Sequence, residues 1–188
     1  MKAAALSLSL SLLVAPGARA QSRTFSIDPE ASKVSFSLGG NTHRVEGTFQ
    51  VHDGTIHFDP GKGEISGAVV VEAGSGNSAS KSRDRKMNTD ILEVARFAEV
   101  TFAPSSYQGT LANPGDSAIQ VTGVFTLHGT PHDLTVPMQI HMDGKTLAAK
   151  TRFMVPYVKW GLKDPSIFIL RVAKEVEVDL TLNGTVSE

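Results

Sequence analysis

The chain has 188 residues, with 18 Lys and Arg against 19 Asp and Glu, 17 Gly, 9 Pro, one Trp and no Cys. That length suits one domain, and a net charge of −1 excludes a nucleic-acid binder held by phosphate contacts, which needs a basic surplus. The lack of Cys excludes disulfides, thiolate metal sites, iron–sulfur clusters and a cysteine nucleophile together.

Met1-Lys2 starts the chain with positive charge, Ala3 to Val14 is an apolar run, and Pro16-Gly17 breaks it. Ala18-Arg19-Ala20 then carries the small-x-small pattern that a signal peptidase reads. Residues 1–20 are therefore expected to be a cleaved signal peptide, too short to span a bilayer. Residues 21–188 are expected to form a single exported domain, periplasmic or secreted. Gln21 rather than Cys follows the cut, which argues against a lipid anchor, and no later apolar run predicts stable membrane insertion.

The rest reads as β-structure. Lys33 to Leu38 alternates polar and apolar residues, and Val45, Gly47, Phe49 and Val51 continue that alternation. Asp53-Gly54 lies between this run and Thr55 to Phe58, where it predicts a tight hairpin turn. Glu64 to Ala73 is a further strand, and Gly74 to Ser78 is expected to be a flexible loop. Between Ser80 and Val94, Met87, Ile91 and Leu92 fall on one helical face without an interrupting Gly or Pro, which predicts one short helix.

Alternation resumes over Ile119 to Leu127 and over Leu134 to Met142, with His128-Gly129-Thr130-Pro131 between them. Asp143-Gly144 predicts a turn into Thr146 to Val155. In the last strand Val176, Val178, Leu180 and Leu182 face one way, while Glu175, Glu177, Asp179 and Thr181 face the other. About eight short antiparallel strands and one helix predict an all-β sandwich or closed barrel, and no spacing rule separates the two.

Groups that carry chemistry are sparse. Gly61-Lys62-Gly63 with Gly67 has the wrong spacing for a phosphate loop, and a strand follows where a helix is required. Gly74-Ser75-Gly76 lacks the spacing of a nucleophile elbow. The six histidines, His43, His52, His57, His128, His132 and His141, show no metal-binding spacing, so no metal and no cofactor is expected. Asp84, between Arg83 and Arg85, reads either as a helix-end ion pair or as a polar group at the rim of a pocket. What remains is apolar: Phe36, Phe49, Phe58, Phe102, Phe125 and Phe153 all take inward strand positions. They belong either to a filled core or to a hollow barrel, whose interior at eight strands holds packed side chains or one small ligand.

Several stretches together resemble the YceI-like family. They are Asp28 to Phe36, Arg83-Asp84 leading the helix, Phe97 to Phe102, Gly123 to Gly129, and the strand Asp133 to Ile140. The resemblance runs from Asp28 to Leu182; Ala31-Ser32, Gly39-Gly40 and Phe97-Ala98 depart from the family's usual residues. It implies an antiparallel lipocalin-like barrel with the helix closing or flanking an end, and a non-enzymatic carrier of an apolar lipid such as an isoprenoid quinone or prenyl chain. By the same resemblance the tail would lie against Phe36, Phe49, Phe58, Phe102 and Phe125, with Met87, Ile91, Leu92, Phe97 and Trp160 lining or closing the cavity. His43, Arg83 and Asp84 would meet the polar head at the mouth. The alternative is a non-enzymatic interaction module with a filled barrel or sandwich core and its function on the loops.

Overall fold

The computed structural model describes residues 22–167 and 169–188, so the expected signal peptide and its cleavage site lie outside the described residues. The strands are β1 (Arg23–Ile27), β2 (Lys33–Leu38), β3 (Val45–Asp59), β4 (Glu64–Asn77) and β5 (Glu99–Gln108), followed by β6 (Gly115–Leu127), β7 (Thr130–Asp143), β8 (Thr146–Val155) and β9 (Val176–Ser187). Around the sheet they run β3-β2-β9-β8-β7-β6-β5-β4, and β4 pairs back onto β3, which closes a barrel.

Nine strands make eight staves because β1 and β2 share one. Both lie between β3 and β9: β1 pairs with Thr55–Phe58 and Gly184–Ser187, whereas β2 pairs with Val45–Phe49 and Glu177–Thr181. The corner between them is tied by Ser32 Oγ, which donates to the Asp28 carbonyl at 2.6 Å, and by Asn183 Nδ2, which donates to the Ala31 carbonyl at 2.6 Å. The fold is thus the expected antiparallel barrel of eight staves with one short helix, closed by the pairing of β4 with β3, while β7 and β8 pair only over Gln139–Asp143 and Thr146–Lys150.

Period-two alternation dictates which side chains turn inward. On β6, Ile119 and Val121 are buried while Gln120 and Thr122 are exposed, and the same parity holds through β7 at Val136 and Ile140. Each stave therefore supplies one apolar row to a shared interior.

Three local expectations are corrected. Asp53-Gly54 makes no hairpin; β3 runs straight through it. Residues 55–58 are paired with β1 on one side and with β4 on the other, and a turn would break both ladders. The register against β4 shifts between Val51 and Asp53 instead, a bulge. Gly54, lacking a side chain, leaves room for the Ile27 Cδ1 methyl.

Gly74 to Ser78 is not a free loop either, since β4 continues to Asn77, which pairs with Thr48. The helix is shorter than expected: α1 (Lys81–Lys86) passes directly into one π-helical turn at Met87–Ile91, closed by Leu92 N–H donating to the Met87 carbonyl at 2.8 Å. The wider turn brings Met87, Ile91 and Leu92 together over the barrel end. Glu93, at φ 47°, ends it.

Candidate functional site

The inward rows fill only part of the barrel. Toward the end that carries the turns at 60–63, 109–114 and 144–145, Phe25, Ile56, Phe58, Tyr107, Ile140 and Met142 are buried in one continuous cluster. Tyr107 Oη donates to the Asp59 carbonyl at 2.7 Å and pins this end shut. Toward the other end Phe49, Phe102, Phe125 and Phe153 take the same inward parity, yet they are only half-buried because the space between them is empty. That space is a cavity of about 510 Å³, within the range of about 300–1,000 Å³ typical of small-molecule sites.

Sequence and local structure explain why the hollow stays open. Phe36 and Phe49 meet with ring centroids 5.4 Å apart, and Phe125 meets Phe153 edge-on at 6.0 Å, so the rings pave the wall rather than cross the lumen. Gly47 has no Cβ, and the Phe36 ring occupies that space. Gly76 similarly admits the Met87 methyl, so the helix seats on the mouth beside β4.

Of the residues singled out from sequence, Phe36, Phe49, Phe102 and Phe125 border this cavity from the staves, and Met87, Ile91 and Leu92 border it from the helical segment. His43 and Arg83 lie at its mouth. Four others do not line it. Phe58 has the inward parity but sits in the filled half, 5% exposed. Phe97 packs outside, against His128 at 4.2 Å between ring centroids and beneath Gly129, with the Arg96 guanidinium 5.0 Å from its ring.

Trp160 stacks on His132 at 4.1 Å and 7° and backs Phe125 at 5.8 Å, so it supports the wall from behind. Asp84 turns away from the mouth: its Oδ1 accepts from the Ser78 N–H at 2.9 Å and from Ser78 Oγ at 2.5 Å. The Arg83 guanidinium donates to the Ser78 carbonyl at 3.2 Å, so Ser78 is gripped from both sides and the helix is hooked to the end of β4.

The lining also includes residues not singled out as ligand contacts. Leu134 and Met138 of β7 and Phe153 of β8, all inward by the alternation expected from sequence, complete the wall. The connection from β8 to β9 brings Tyr157, Leu162, Ile167, Leu170, Arg171 and Val172 to the mouth. The signal for that segment was an apolar run, Ile167 to Leu170, in a loop introduced by Pro165.

The chemistry of the lining is almost wholly apolar. Among the described residues its charged side chains are Arg83, Lys86 and Arg171, all at the mouth, and no described carboxylate borders the cavity. Thr151, the buried hydroxyl of the wall, is satisfied by donating to the Pro137 carbonyl at 2.6 Å. Tyr157 Oη donates to the Ala173 carbonyl at 2.8 Å, and burial pushes its pKa up to about 12, so the phenol is neutral at ordinary pH. Among the described residues no group of three or more His, Asp or Glu side chains is arranged to hold a metal ion. His52 and His57 lie along one continuous strand, and His57 Nδ1 contacts Thr24 Oγ1 at 3.0 Å. No described lining residues pair a nucleophile with a base; the arrangement suits burial of apolar surface at about 25 cal/mol per Å².

Comparison with known proteins agrees with this geometry. The family described as "YceI-like domain" matches residues 25–184. A "UPF0312 protein" of Pseudomonas savastanoi pv. phaseolicola is 30% identical over 145 residues, covering 76% of this chain and 73% of that protein. The crystal structure of Burkholderia cenocepacia BcnA superposes with a TM-score of 0.69 at 23% identity, covering 86% of this chain and 99% of that one. A domain from Saccharophagus degradans, described as polyisoprenoid binding and implicated in plant cell wall breakdown, gives a TM-score of 0.66 at 16% identity over 87% and 98% of the two chains. At these identities the two structures share the fold.

Proposed function

This chain belongs to the YceI-like domain family, and on that premise we propose that it is a non-enzymatic binding protein for an apolar lipid of polyisoprenoid type, whose tail lies in the barrel cavity. The observation that carries this reading is the one-ended hollow of about 510 Å³, paved by Phe36, Phe49, Phe102, Phe125 and Phe153 and free of carboxylates. An unbranched or methyl-branched chain needs nothing more than such a wall, and the polar end of the lipid stays at the mouth beside His43, Arg83, Lys86 and Arg171. The S. degradans domain described as polyisoprenoid binding shares this fold and supports the ligand class.

Export is part of the same proposal. The pattern of residues 1–20 directs the chain out of the cytoplasm, where a lipid carrier would move its ligand through an aqueous compartment. An interaction module with a filled core would need a solid interior, whereas this barrel encloses a cavity of about 510 Å³.

The test is binding of a fluorescent prenyl-chain probe to the wild-type protein and to the double variant Phe102→Glu, Phe125→Glu. The proposal expects the variant to lose probe binding while it keeps the β signal in circular dichroism. Undiminished binding in the folded variant would place the ligand elsewhere.

A further inference from the structure

Four large apolar side chains are markedly exposed among the described residues, and three of them share one loop. Ile169 is 76% exposed, Ile167 56% and Leu170 47%, all on the connection between β8 and β9. Folding gains nothing from leaving such groups in water, and clustered exposed apolar side chains mark an interaction surface. Their location gives the surface its meaning. Ile167 and Leu170 also border the cavity, so the exposed apolar tip is continuous with the cavity wall.

Charge points the same way. The connection at 156–175 carries Lys159, Lys163, Arg171 and Lys174 against Asp164 and Glu175, on a chain whose overall balance is −1. Across the mouth, α1 brings Arg83 and Lys86 to the cavity and also carries Lys81 and Arg85, against Asp84 in α1 and Asp90 in the π-turn. The Asp84 carboxylate is turned onto Ser78, and the Asp164 carboxylate accepts from the Ser166 N–H at 2.9 Å. The opening thus combines an apolar tip with the cations Arg83, Lys86 and Arg171 and, among the described residues, no lining carboxylate, on a weakly acidic protein. An apolar side that inserts among acyl chains, flanked by cations that meet phosphates, is how a protein lies on an anionic bilayer without spanning it.

We propose that the 156–175 connection docks the barrel mouth-down on an anionic phospholipid surface, with Ile167, Ile169 and Leu170 inserted, so that the cavity opens directly onto the bilayer. This rests on the lipid-binding reading for its purpose, though not for its geometry. The ligand's tail would then pass between membrane and cavity without crossing water.

The experiment is flotation of the purified protein with vesicles of phosphatidylcholine alone and of phosphatidylcholine mixed with phosphatidylglycerol, at low and at high salt. Two variants lie outside the cavity lining: Ile169→Ser, and the pair Lys163→Glu with Lys174→Glu. The wild type is expected to float with anionic vesicles at low salt and to be released by high salt. Ile169→Ser should lower the bound fraction several-fold, and the charge-reversed pair should abolish the preference for phosphatidylglycerol. Equal binding to neutral and anionic vesicles, no binding to either, or full binding by Ile169→Ser would each overturn the proposal.

Uptake of the prenyl probe in vesicle-free solution separates the two claims. A protein that takes up the probe but ignores vesicles refutes docking alone. One that binds anionic vesicles through Ile169 but takes up no probe refutes the carrier reading and leaves docking standing.

Discussion

The Met87 methyl group occupies the space that a side chain at Gly76 would fill, and through that contact the helical segment is seated on the barrel wall. A Cβ at position 76 would also sit 2.8 Å from the Phe49 ring. The absence of one side chain thus lets the helix and the wall define the cavity mouth together. Replacing Gly76 with Val overpacks this junction and is expected to cost about 1–3 kcal/mol. Urea denaturation measures the loss, and faster proteolysis within residues 81–92 would show that the helix has lifted.

Asp84 should behave as a structural residue and not as part of a head-group site. Asp84→Ala removes the acceptor for both the Ser78 N–H and the Ser78 hydroxyl. Leaving a buried hydrogen-bonding partner unsatisfied costs about 1–3 kcal/mol, so a loss of that order is expected, with increased helix proteolysis. Probe affinity at saturating helix occupancy should change little. A large drop in affinity with unchanged stability would contradict the role assigned here.

The two halves of the barrel should answer differently to the same truncation. Phe58→Ala leaves a void in a close-packed cluster and is expected to cost about 3–5 kcal/mol, with probe binding retained in the folded protein. Phe102→Ala enlarges a cavity that already exists, so it should cost less stability and change probe binding more. Denaturation and probe titration on both variants check the contrast.

Both tyrosines of the chain have raised pKa values, Tyr107 through burial and the nearby Asp59 charge, and Tyr157 through burial, up to about 12. In the unfolded chain each titrates near 10. A folded pKa raised above the unfolded one stabilises fully below pH 10, and that contribution is lost as pH rises through about 12. In the native protein Tyr157 should therefore contribute almost no tyrosinate absorbance at pH 10, as read in a Tyr107→Phe background, and stability should fall between pH 10 and 12. Tyr157→Phe should flatten that fall. Half-ionised Tyr157 at pH 10 in the folded Tyr107→Phe protein would contradict its buried phenol.

Much of this architecture was legible because strand alternation is a local property. The inward parity of Ile119 to Leu127 or of Val176 to Leu182 follows from each segment alone, and the ordered short matches from Asp28 to Leu182 added the closed barrel. What parity cannot convey is how far along the barrel axis each inward side chain lies. Phe58 and Phe102 read identically in sequence, yet the register of β3 and β5 sets one in the filled half and the other on the cavity wall. The Asp53-Gly54 turn failed for a similar reason: two neighbouring ladders, formed with distant segments, override a local turn preference. Phe97 and Trp160 found partners in His128 and His132, which only tertiary structure brings beside them. The apolar run at Ile167 to Leu170 was visible but followed no strand or helix period, so it carried no structural assignment until the loop was seen against the mouth.

Under the proposed function, the hollow part of the barrel holds an apolar lipid. Mass spectrometry of an organic extract, taken from the protein purified from its own host without detergent, tests it most directly. The account predicts an isoprenoid chain in stoichiometric amount. A protein that arrives empty, and stays empty after incubation with quinones and prenyl phosphates, would contradict it.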